Sequence, residues 1–213
     1  MISQQKAEKA KVKICGITNL EDALAAQEAG ADALGFVFYP KSPRYMRPQG
    51  ARKIISCLKK KIKKIGVFVN PSLPYARRIA YSCYLDMLQF HGEEPAAFCQ
   101  NFPGYKIIKA FRIKNKESLE SLKEYRRVNY YLFDAFHKDA FGGTGRKFKW
   151  TLLKNLQIEK PFFLSGGLTI QNVVFAVNAL RPDWVDVSSG VEVSIGIKDK
   201  NLIKEFIAKV KGT

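Results

Sequence analysis

The amino-acid sequence predicts a single (β/α)₈ barrel, an α/β fold in which eight parallel strands alternate with helices and close on themselves. Three observations lead to this prediction. The chain has 213 residues, the size of one compact barrel. Short apolar runs rich in β-branched residues alternate along it with segments of helical spacing. Two glycine-bearing turns, at 165–168 and 188–191, each follow an apolar run, and a barrel of this kind builds its phosphate site from such turns after its last two strands.

The predicted strands and helices follow one another in strict alternation. Strands are expected at residues 12–17, 33–38, 65–69, 87–90, 107–111, 130–133, 162–164 and 184–187. Helices are expected at 20–29, 51–58, 74–83, 95–102, 119–126, 151–156, 170–180 and 200–210. Thr18 or Asn19 suits the N-cap of the first helix, and Gly30 is a normal stop signal for it. Eight such units favour a closed sheet over an open, doubly wound one.

Composition supports one globular domain with a sizeable core. Hydrophobic residues make up 46% of the chain, yet no apolar run approaches the roughly 18 residues of a membrane span. Residues 1–11 are polar and are expected to form a lead-in rather than a secretory signal, with the barrel domain covering 12–213. We therefore expect a cytoplasmic protein without a membrane partner.

The four cysteines are expected to be reduced thiols. Cys15, Cys57, Cys83 and Cys99 show no C-x-x-C spacing, and a chain of this size does not need a disulfide scaffold. Cys57, Cys83 and Cys99 fall in helix patterns, where a cysteine usually belongs to the core. Cys15 ends a predicted strand and is followed by Gly16, which makes it a candidate for chemistry.

The net charge of +17 raises the question of a nucleic-acid partner. The lysines are scattered, and no finger, recognition helix or RNP-type motif accompanies them, so we expect a solvated lysine-rich surface and no nucleic-acid partner. Such a surface would attract a small anionic substrate. A basic barrel that binds nucleic acid or another polyanion without turnover is the alternative from a different class, and its affinity would fall steeply with salt.

Polar residues at the predicted strand ends are the candidates for an active site, because a barrel places its chemistry at that face. Cys15, His91, Arg112 and Asp134 end the first, fourth, fifth and sixth strands. Arg44 lies in a proline-bracketed loop after the second strand, and residues 135–148 form a longer loop that is expected to act as a lid.

Eight short motifs in order resemble the phosphoribosylanthranilate isomerase family of tryptophan biosynthesis. The motifs are KICGIT (13–18), GFVF (35–38), SPR (42–44), GVFVN (66–70), QFHG (89–92), GGTG (142–145), SGGL (165–168) and DVSSGVE (186–192). Each is modest alone, but together they occupy nearly every strand end from residue 12 onwards. Three positions depart from the usual pattern: the basic segment 146–150, Ser165 in place of a commoner alanine, and Ile195 where proline is frequent.

The resemblance implies a cofactor-independent Amadori rearrangement, the third step of tryptophan synthesis from chorismate. It implies that Cys15 is the general base and Asp134 the general acid. Protonation of the ring oxygen by Asp134 would open the furanose, and burial would favour the protonated carboxyl that this needs. A thiolate at Cys15 would then remove the C2 proton of the Schiff base. Because an ordinary thiol has a pKa of about 8.5, we expect Lys13, on the same strand face, to lower the pKa of Cys15.

The substrate is a small phosphorylated molecule with two anionic groups. The resemblance implies that Arg44 binds the anthranilate carboxylate, a role that suits guanidinium geometry. The phosphate is expected at Gly143, Gly166, Gly167, Ser188 and Ser189. Asp186 is expected to contact substrate and also to form an interior ion pair with Lys13, because strands one and eight become neighbours on closure.

Several alternatives remain open at this stage. His91 is equally suited to a substrate contact and to a structural role. Asp139, with His137 in the same loop, is the nearest rival to Asp134. No nucleotide-binding fingerprint or metal-ligand motif occurs, so no cofactor or metal is expected. The runner-up among enzymes is another phosphate-binding barrel of tryptophan or histidine biosynthesis. Indole-glycerol-phosphate synthase, for example, would need catalytic lysine and glutamate residues at specific strand ends. The oligomeric state is open, with a monomer among the possibilities.

Overall fold

The structure, a computed structural model, describes residues 9–135, 150–154, 156 and 158–213. Eight strands form its centre: β1 Lys11–Cys15, β2 Ala33–Val37, β3 Lys63–Phe68, β4 Met87–Phe90, β5 Lys106–Ile113, β6 Tyr130–Ala135, β7 Phe162–Leu164 and β8 Trp184–Val187. The α-helices are α1 Leu20–Glu28, α2 Pro48–Ser56, α3 Leu73–Ser82, α4 Ala96–Cys99, α5 Thr151–Lys154, α6 Val173–Leu180 and α7 Lys200–Lys211. Two 3₁₀ helices, Glu117–Tyr125 and Ser189–Val191, and a hairpin of β9 Glu192–Ser194 with β10 Ile197–Lys198 complete it.

The eight strands pair in parallel and in chain order, and β1 also pairs with β8 to close the barrel. This confirms the predicted fold class. At the closing seam, Lys11 lies opposite Trp184 and Lys13 lies opposite Asp186. All strands end at the same rim because parallel neighbours share a direction, so the loops that follow them surround one mouth.

The structure departs from the predicted elements in three places. The segment predicted as a helix at 119–126 is a 3₁₀ helix, Glu117–Tyr125, whose core-facing residues Leu119, Leu122 and Tyr125 are spaced three apart, the period of a 3₁₀ helix. The helix at 95–102 is only the single turn α4. The β9–β10 hairpin was not predicted, since its two short strands mix polar and apolar residues without a clear strand period.

Strand alternation divides the side chains into two sets. Residues facing outward pack against the helices and form the larger core. Inward-facing residues fill the amino-terminal half of the barrel with a smaller apolar cluster: Ala33, Ile65, Met87, Ile108, Ala110, Leu132, Phe163 and Trp184. Towards the carboxyl ends the same faces carry Lys13, Gln89, Asp134 and Asp186, which are all buried. The barrel interior is therefore apolar at one end and polar at the other.

Two further predictions concern cysteines and membrane spans. Cys83 and Cys99 are buried, as expected, but Cys57 is exposed, so the prediction that it belongs to the core is wrong. It follows the last residue of α2 and lies just outside the packed face of that helix. Within the described ranges, no helix combines the length and the hydropathy needed to cross a membrane.

Candidate active site

Lys13 lies in the barrel interior, where its side chain is fully buried and has three polar neighbours. Its Nζ lies 3.0 Å from Asp186 Oδ2, 2.6 Å from Gln89 Oε1 and 3.3 Å from Cys15 Sγ. The predicted ion pair between Lys13 and Asp186 is confirmed. The other oxygen of Asp186, Oδ1, is buried and accepts no hydrogen bond from any described residue. That oxygen can therefore accept a hydrogen bond from a bound molecule.

Cys15 ends β1 on the inward face, beside Lys13. Burial raises the pKa of its thiol, and the ammonium groups of Lys13 and Lys198 oppose that rise without cancelling it. The expectation that Lys13 lowers the pKa of Cys15 is therefore right in position and sign, but desolvation outweighs it. Gly35 makes room for both side chains, because a Cβ there would lie 2.7 Å from Cys15 Sγ and 2.9 Å from Lys13 Cε.

A chain of hydrogen bonds runs from Lys13 to Asp134. Gln89 Oε1 accepts from Lys13, so its amide group, 2.8 Å from His91 Nδ1, must donate to that nitrogen. The proton of the neutral ring is then assigned to Nε2, which donates to Asp134 Oδ2 at 3.1 Å. Asp134 Oδ1 accepts from the Ala135 amide at 2.8 Å. Both ring nitrogens of His91 are thus used within the protein.

The turns after β7 and β8 form one cavity at the barrel mouth. Gly166 and Gly167 have φ of +86° and +70°, a backbone conformation that glycine adopts without strain. A Cβ at Gly166 would lie 2.6 Å from the Ala135 amide nitrogen. The cavity is lined by Asp134, Ser165, Gly166, Gly167, Leu168, Asp186, Val187, Ser188, Ser189 and Gly190. Four predicted phosphate residues are among these, whereas Gly143, Asp139 and the predicted lid at 135–148 fall, apart from residue 135, outside the described residues.

The amides of these turns are suited to an anion. In the part of the chain that the structure describes, the amide groups of Gly166 and Gly167 have no hydrogen-bond partner, while the amide of Ser165 donates to Phe133. Unpaired amides at a glycine turn carry partial positive charge and bind phosphate oxygens. Asp134 and Asp186 lie on the barrel side of the same cavity, so an anion seated here would extend towards Cys15 and its neighbours.

Arg44 reaches the mouth from the loop after β2 and is 7% exposed. Its Nε and Nη2 donate to the two carboxylate oxygens of Glu192, at 2.8 and 2.7 Å. Lys198 donates to the same carboxylate at 2.8 Å and to Ser188 Oγ at 3.3 Å. Burial would raise the pKa of Glu192, but Arg44 and Lys198 outweigh it and lower the pKa. Glu192 is therefore an anion held between two cations beside the phosphate turn.

A second buried ion pair holds the loop after β4. Lys109 points outward from β5, and its Nζ lies 2.8 Å from Glu94 Oε2 and 2.7 Å from the Gly92 carbonyl. Glu94 Oε1 accepts from the amides of Asn70 and Gly92. The pair ties the loops after β3 and β4 together directly beyond His91, so it fixes the backbone from which that ring projects.

Sequence reasoning missed Glu192, Lys198, Gln89, Glu94 and Lys109 as members of the site. Gln89 and Glu192 stand inside motifs 89–92 and 186–192, so their positions were visible, but their contacts were not. Arg112, a strand-end candidate, lies near the end of β5 and contacts the exposed Glu93 at 3.3 Å. Within the described residues, no cluster of three or more His, Cys, Asp and Glu side chains is arranged to hold a metal ion.

The chain matches the sequence model of one protein family over nearly its whole length. The model of that family, described as N-(5'-phosphoribosyl)anthranilate (PRA) isomerase, matches residues 12–209. The chain belongs to this family. A curated PRA isomerase from Geotalea uraniireducens (strain Rf4) is 49% identical over 202 residues, which cover 95% of this chain and 98% of the relative. The predicted family resemblance is therefore confirmed.

Solved structures of PRA isomerases have the same fold. The chain is similar to the crystal structure of the enzyme from Thermotoga maritima, with a TM-score of 0.90 and 42% identity, covering 96% of this chain and 100% of that one. A second structure, with a TM-score of 0.87 and the same identity and coverage, is a PRA isomerase in complex with reduced 1-(o-carboxyphenylamino)-1-deoxyribulose 5-phosphate. The ligand of that complex carries a carboxylate at one end and a phosphate at the other.

Proposed function

We propose that this PRA isomerase converts N-(5-phosphoribosyl)anthranilate to 1-(2-carboxyphenylamino)-1-deoxyribulose 5-phosphate with Cys15 as general base and Asp134 as general acid. Family membership supplies the activity, an aminoaldose–aminoketose isomerisation in tryptophan synthesis. One observation supports the residue roles above the others. Cys15 and Asp134 stand at the two ends of a continuous set of contacts through Lys13, Gln89 and His91, beside the anion-binding turns.

The reaction needs one proton delivered and one removed. Asp134 donates to the furanose ring oxygen, the C1–O bond breaks, and the nitrogen lone pair forms a cationic Schiff base at C1. The thiolate of Cys15 takes the C2 proton, and the electron pair of the C2–H bond forms the C1–C2 double bond of an enamine. Tautomerisation of this enol moves a proton from the C2 hydroxyl to C1 and leaves the aminoketose.

The substrate itself supplies a positive charge that helps the Cys15 thiol to ionise. In the structure, burial raises the pKa of Cys15. A cationic Schiff base within reach of Sγ favours the thiolate and lowers its pKa when proton removal is required. Lys13 adds to this effect from the other side. The base is therefore activated by the intermediate on which it acts.

His91 positions the acid. Its two ring nitrogens are engaged by Gln89 and Asp134, which favours the structural role over a direct substrate contact. Asp186 Oδ1, buried and lacking a donor among the described residues, is suited to accept a hydrogen bond from a substrate hydroxyl.

Two anchors orient the substrate across the mouth. The amides of the turns at 166–167 and 188–189 bind the phosphate, and the family resemblance adds Gly143 to them. Arg44 uses Nε and one hydrogen of Nη2 on Glu192, which leaves Nη1 and the remaining Nη2 hydrogen as donors for the anthranilate carboxylate. Holding both ends places the reacting carbons between base and acid.

The setting follows from the same residues. We propose the cytoplasm, where the four free thiols stay reduced, with a small phosphorylated substrate and neither nucleic acid nor membrane as partner. All proposed groups come from one chain, so a monomer suffices for catalysis.

The direct test is an assay of the purified protein with phosphoribosylanthranilate generated in situ, with the aminoketose identified by mass and chromatography. Absence of product would contradict the proposal.

A further inference from the structure

The amino-terminal end of the barrel, opposite the mouth that holds Cys15 and Asp134, carries an open cavity of about 510 Å³. It lies between the first residues of β1, β3 and β8, the loops at 30–32 and 59–62, and the end of α7. Its volume falls in the range of about 300–1,000 Å³ that is usual for small-molecule sites. No step of the isomerisation proposed above uses this cavity.

The lining of the cavity is strongly basic. Five lysines line it, Lys11, Lys59, Lys61, Lys63 and Lys211, with Asp32 as the one acidic lining residue. Asp32 is already engaged, because its Oδ2 accepts from Lys211 and from the Val12 amide. Within the described chain, Lys59 and Lys61 have no ion-pair partner at all. Like charges around one concavity repel each other and attract a multivalent anion.

The lysine-bearing segments are held in place rather than loosely attached. Gln27 Oε1 accepts the Lys59 amide at 2.7 Å and fixes the loop at 59–62 against α1. The Lys63 amide donates to the Asp32 carbonyl at 3.0 Å, and the Asp32–Lys211 pair fixes the end of α7. The backbone from which the ammonium groups extend is thus preorganised, which lowers the entropic cost of binding.

Trp184 forms the apolar floor of this cavity. Its indole stacks on Phe163 with ring centroids 4.8 Å apart, and Lys11 Nζ lies 5.8 Å from the indole centroid. A floor of aromatic rings excludes water from one side, and charge interactions above it are less screened than on an open surface. The chain has two tryptophans, Trp150 and Trp184, so replacement of Trp150 leaves a single reporter inside the cavity.

We propose that this cavity is a second anion-binding site that takes a small, multiply charged phosphate compound, bound by Lys59, Lys61 and their neighbours over Trp184. Several ammonium groups on one concave surface favour a chain of phosphates over a single monoanion, because each added charge engages another lysine. The site is separate from the phosphate turns at the barrel mouth, so the two anions bind without sharing a residue.

The test uses inorganic tripolyphosphate as the probe and the full chain carrying Trp150→Phe. Titration at constant ionic strength should shift the single indole ¹⁵N–¹H resonance of Trp184 saturably. Lys59→Gln with Lys61→Gln should weaken this binding at least about tenfold. A matched control, Lys53→Gln with Lys116→Gln, removes the same charge from exposed positions outside the cavity and should weaken it far less.

Activity measurements separate this site from the mouth. Without tripolyphosphate, the Lys59→Gln, Lys61→Gln protein and the parent protein should have the same kcat/KM. Any inhibition by tripolyphosphate at the phosphate turns should also be the same for the two proteins. A non-saturating indole shift, or equal weakening by the cavity and control variants, would show only a general surface charge and overturn the proposal. Failure of the isomerase assay would leave the indole titration interpretable, since it does not depend on turnover.

Discussion

Arg44 and Glu192 form a two-point ion pair that crosses the barrel mouth, joining the loop after β2 to the segment after β8. The aliphatic part of the Arg44 side chain also lies over Gly16, where a Cβ would approach Arg44 Cδ to 2.5 Å, so any residue larger than glycine after Cys15 would have to displace it. Glu192 thereby aims the group that is proposed to bind the substrate carboxylate. Arg44, the proposed carboxylate anchor, therefore packs directly against the residue that follows Cys15, the proposed base.

Replacement of Arg44 tests this anchor. Arg44→Ala should lower kcat/KM by about 10²-fold or more, because loss of one anchor misplaces the reacting carbon. A substrate analogue without the carboxylate should lose little further on the Arg44→Ala background, since its partner is already gone. Steady-state kinetics are measured for both substrates with both proteins, so that the four values of kcat/KM give the coupling between Arg44 and the carboxylate. Equal losses for the analogue in both proteins would show that Arg44 does not contact the carboxylate.

Replacement of the proposed base has a control within the chain. Cys15→Ser is nearly isosteric, but a hydroxyl is not ionised near neutral pH, so turnover should fall by about 10²–10⁴-fold or more. Cys57→Ser changes an exposed cysteine outside the site and should leave turnover unchanged. Single-turnover rates and thermal melting of both variants separate chemistry from folding. Near-normal turnover of Cys15→Ser would remove this thiol from the mechanism.

The raised pKa of Cys15 predicts the direction of the pH profile. The thiol must lose its proton to act as the base, and in the free enzyme, before a cationic Schiff base is present, burial moves that loss above the ordinary thiol value of about 8.5. When chemistry limits the rate, kcat/KM should still be rising with pH through that ordinary value. A plateau well below it would show that the free thiol is already ionised, contrary to the environment seen here.

The acid can be tested by a change of similar shape. Asp134→Asn keeps the hydrogen-bonding capacity beside His91 but cannot deliver a carboxylic proton, so turnover should fall by about 10²–10⁴-fold. Binding of the reduced product analogue, measured by calorimetry, should be largely retained. Asp139→Asn is the comparison variant. A larger loss with Asp139→Asn would move the acid into the loop that follows.

Gly35 offers a test of packing around the base. Gly35→Ala places a methyl group 2.7 Å from Cys15 Sγ and 2.9 Å from Lys13 Cε, so these side chains must move. We expect kcat to fall by about 10²-fold with a smaller change in KM, because binding groups lie elsewhere. Gly50→Ala, in α2 near the flexible Met46 side chain, is the matched control and should leave kcat unchanged. Equal kcat values for the two variants would show that the thiol position tolerates displacement.

Local patterns determined the order of elements and the face on which each candidate lies. The strands at 87–90, 162–164 and 184–187 have the predicted bounds, because short apolar runs between turn residues restrict a strand to those positions. Closure of an eight-stranded sheet makes β1 and β8 neighbours, so an ion pair between Lys13 and Asp186 was predictable provided that both side chains point inward, as they do. Cys15 and Asp134 became candidates through their places at strand ends, and the family resemblance gave them the proposed roles of base and acid.

Contacts between side chains distant in sequence could be learned only from the folded chain. Lys13 meets Gln89 across 76 residues, and His91 meets Asp134 across 43, and no local pattern encodes which inward-facing groups touch. Arg44 and Glu192 lie 148 residues apart, in loops whose course no strand periodicity restrains. The net pKa shift of Cys15 is also a tertiary property, because it depends on how far burial outweighs a neighbouring charge. The sequence shows that Lys13 is near Cys15, but only the packing of the folded chain determines how far the thiol is removed from water.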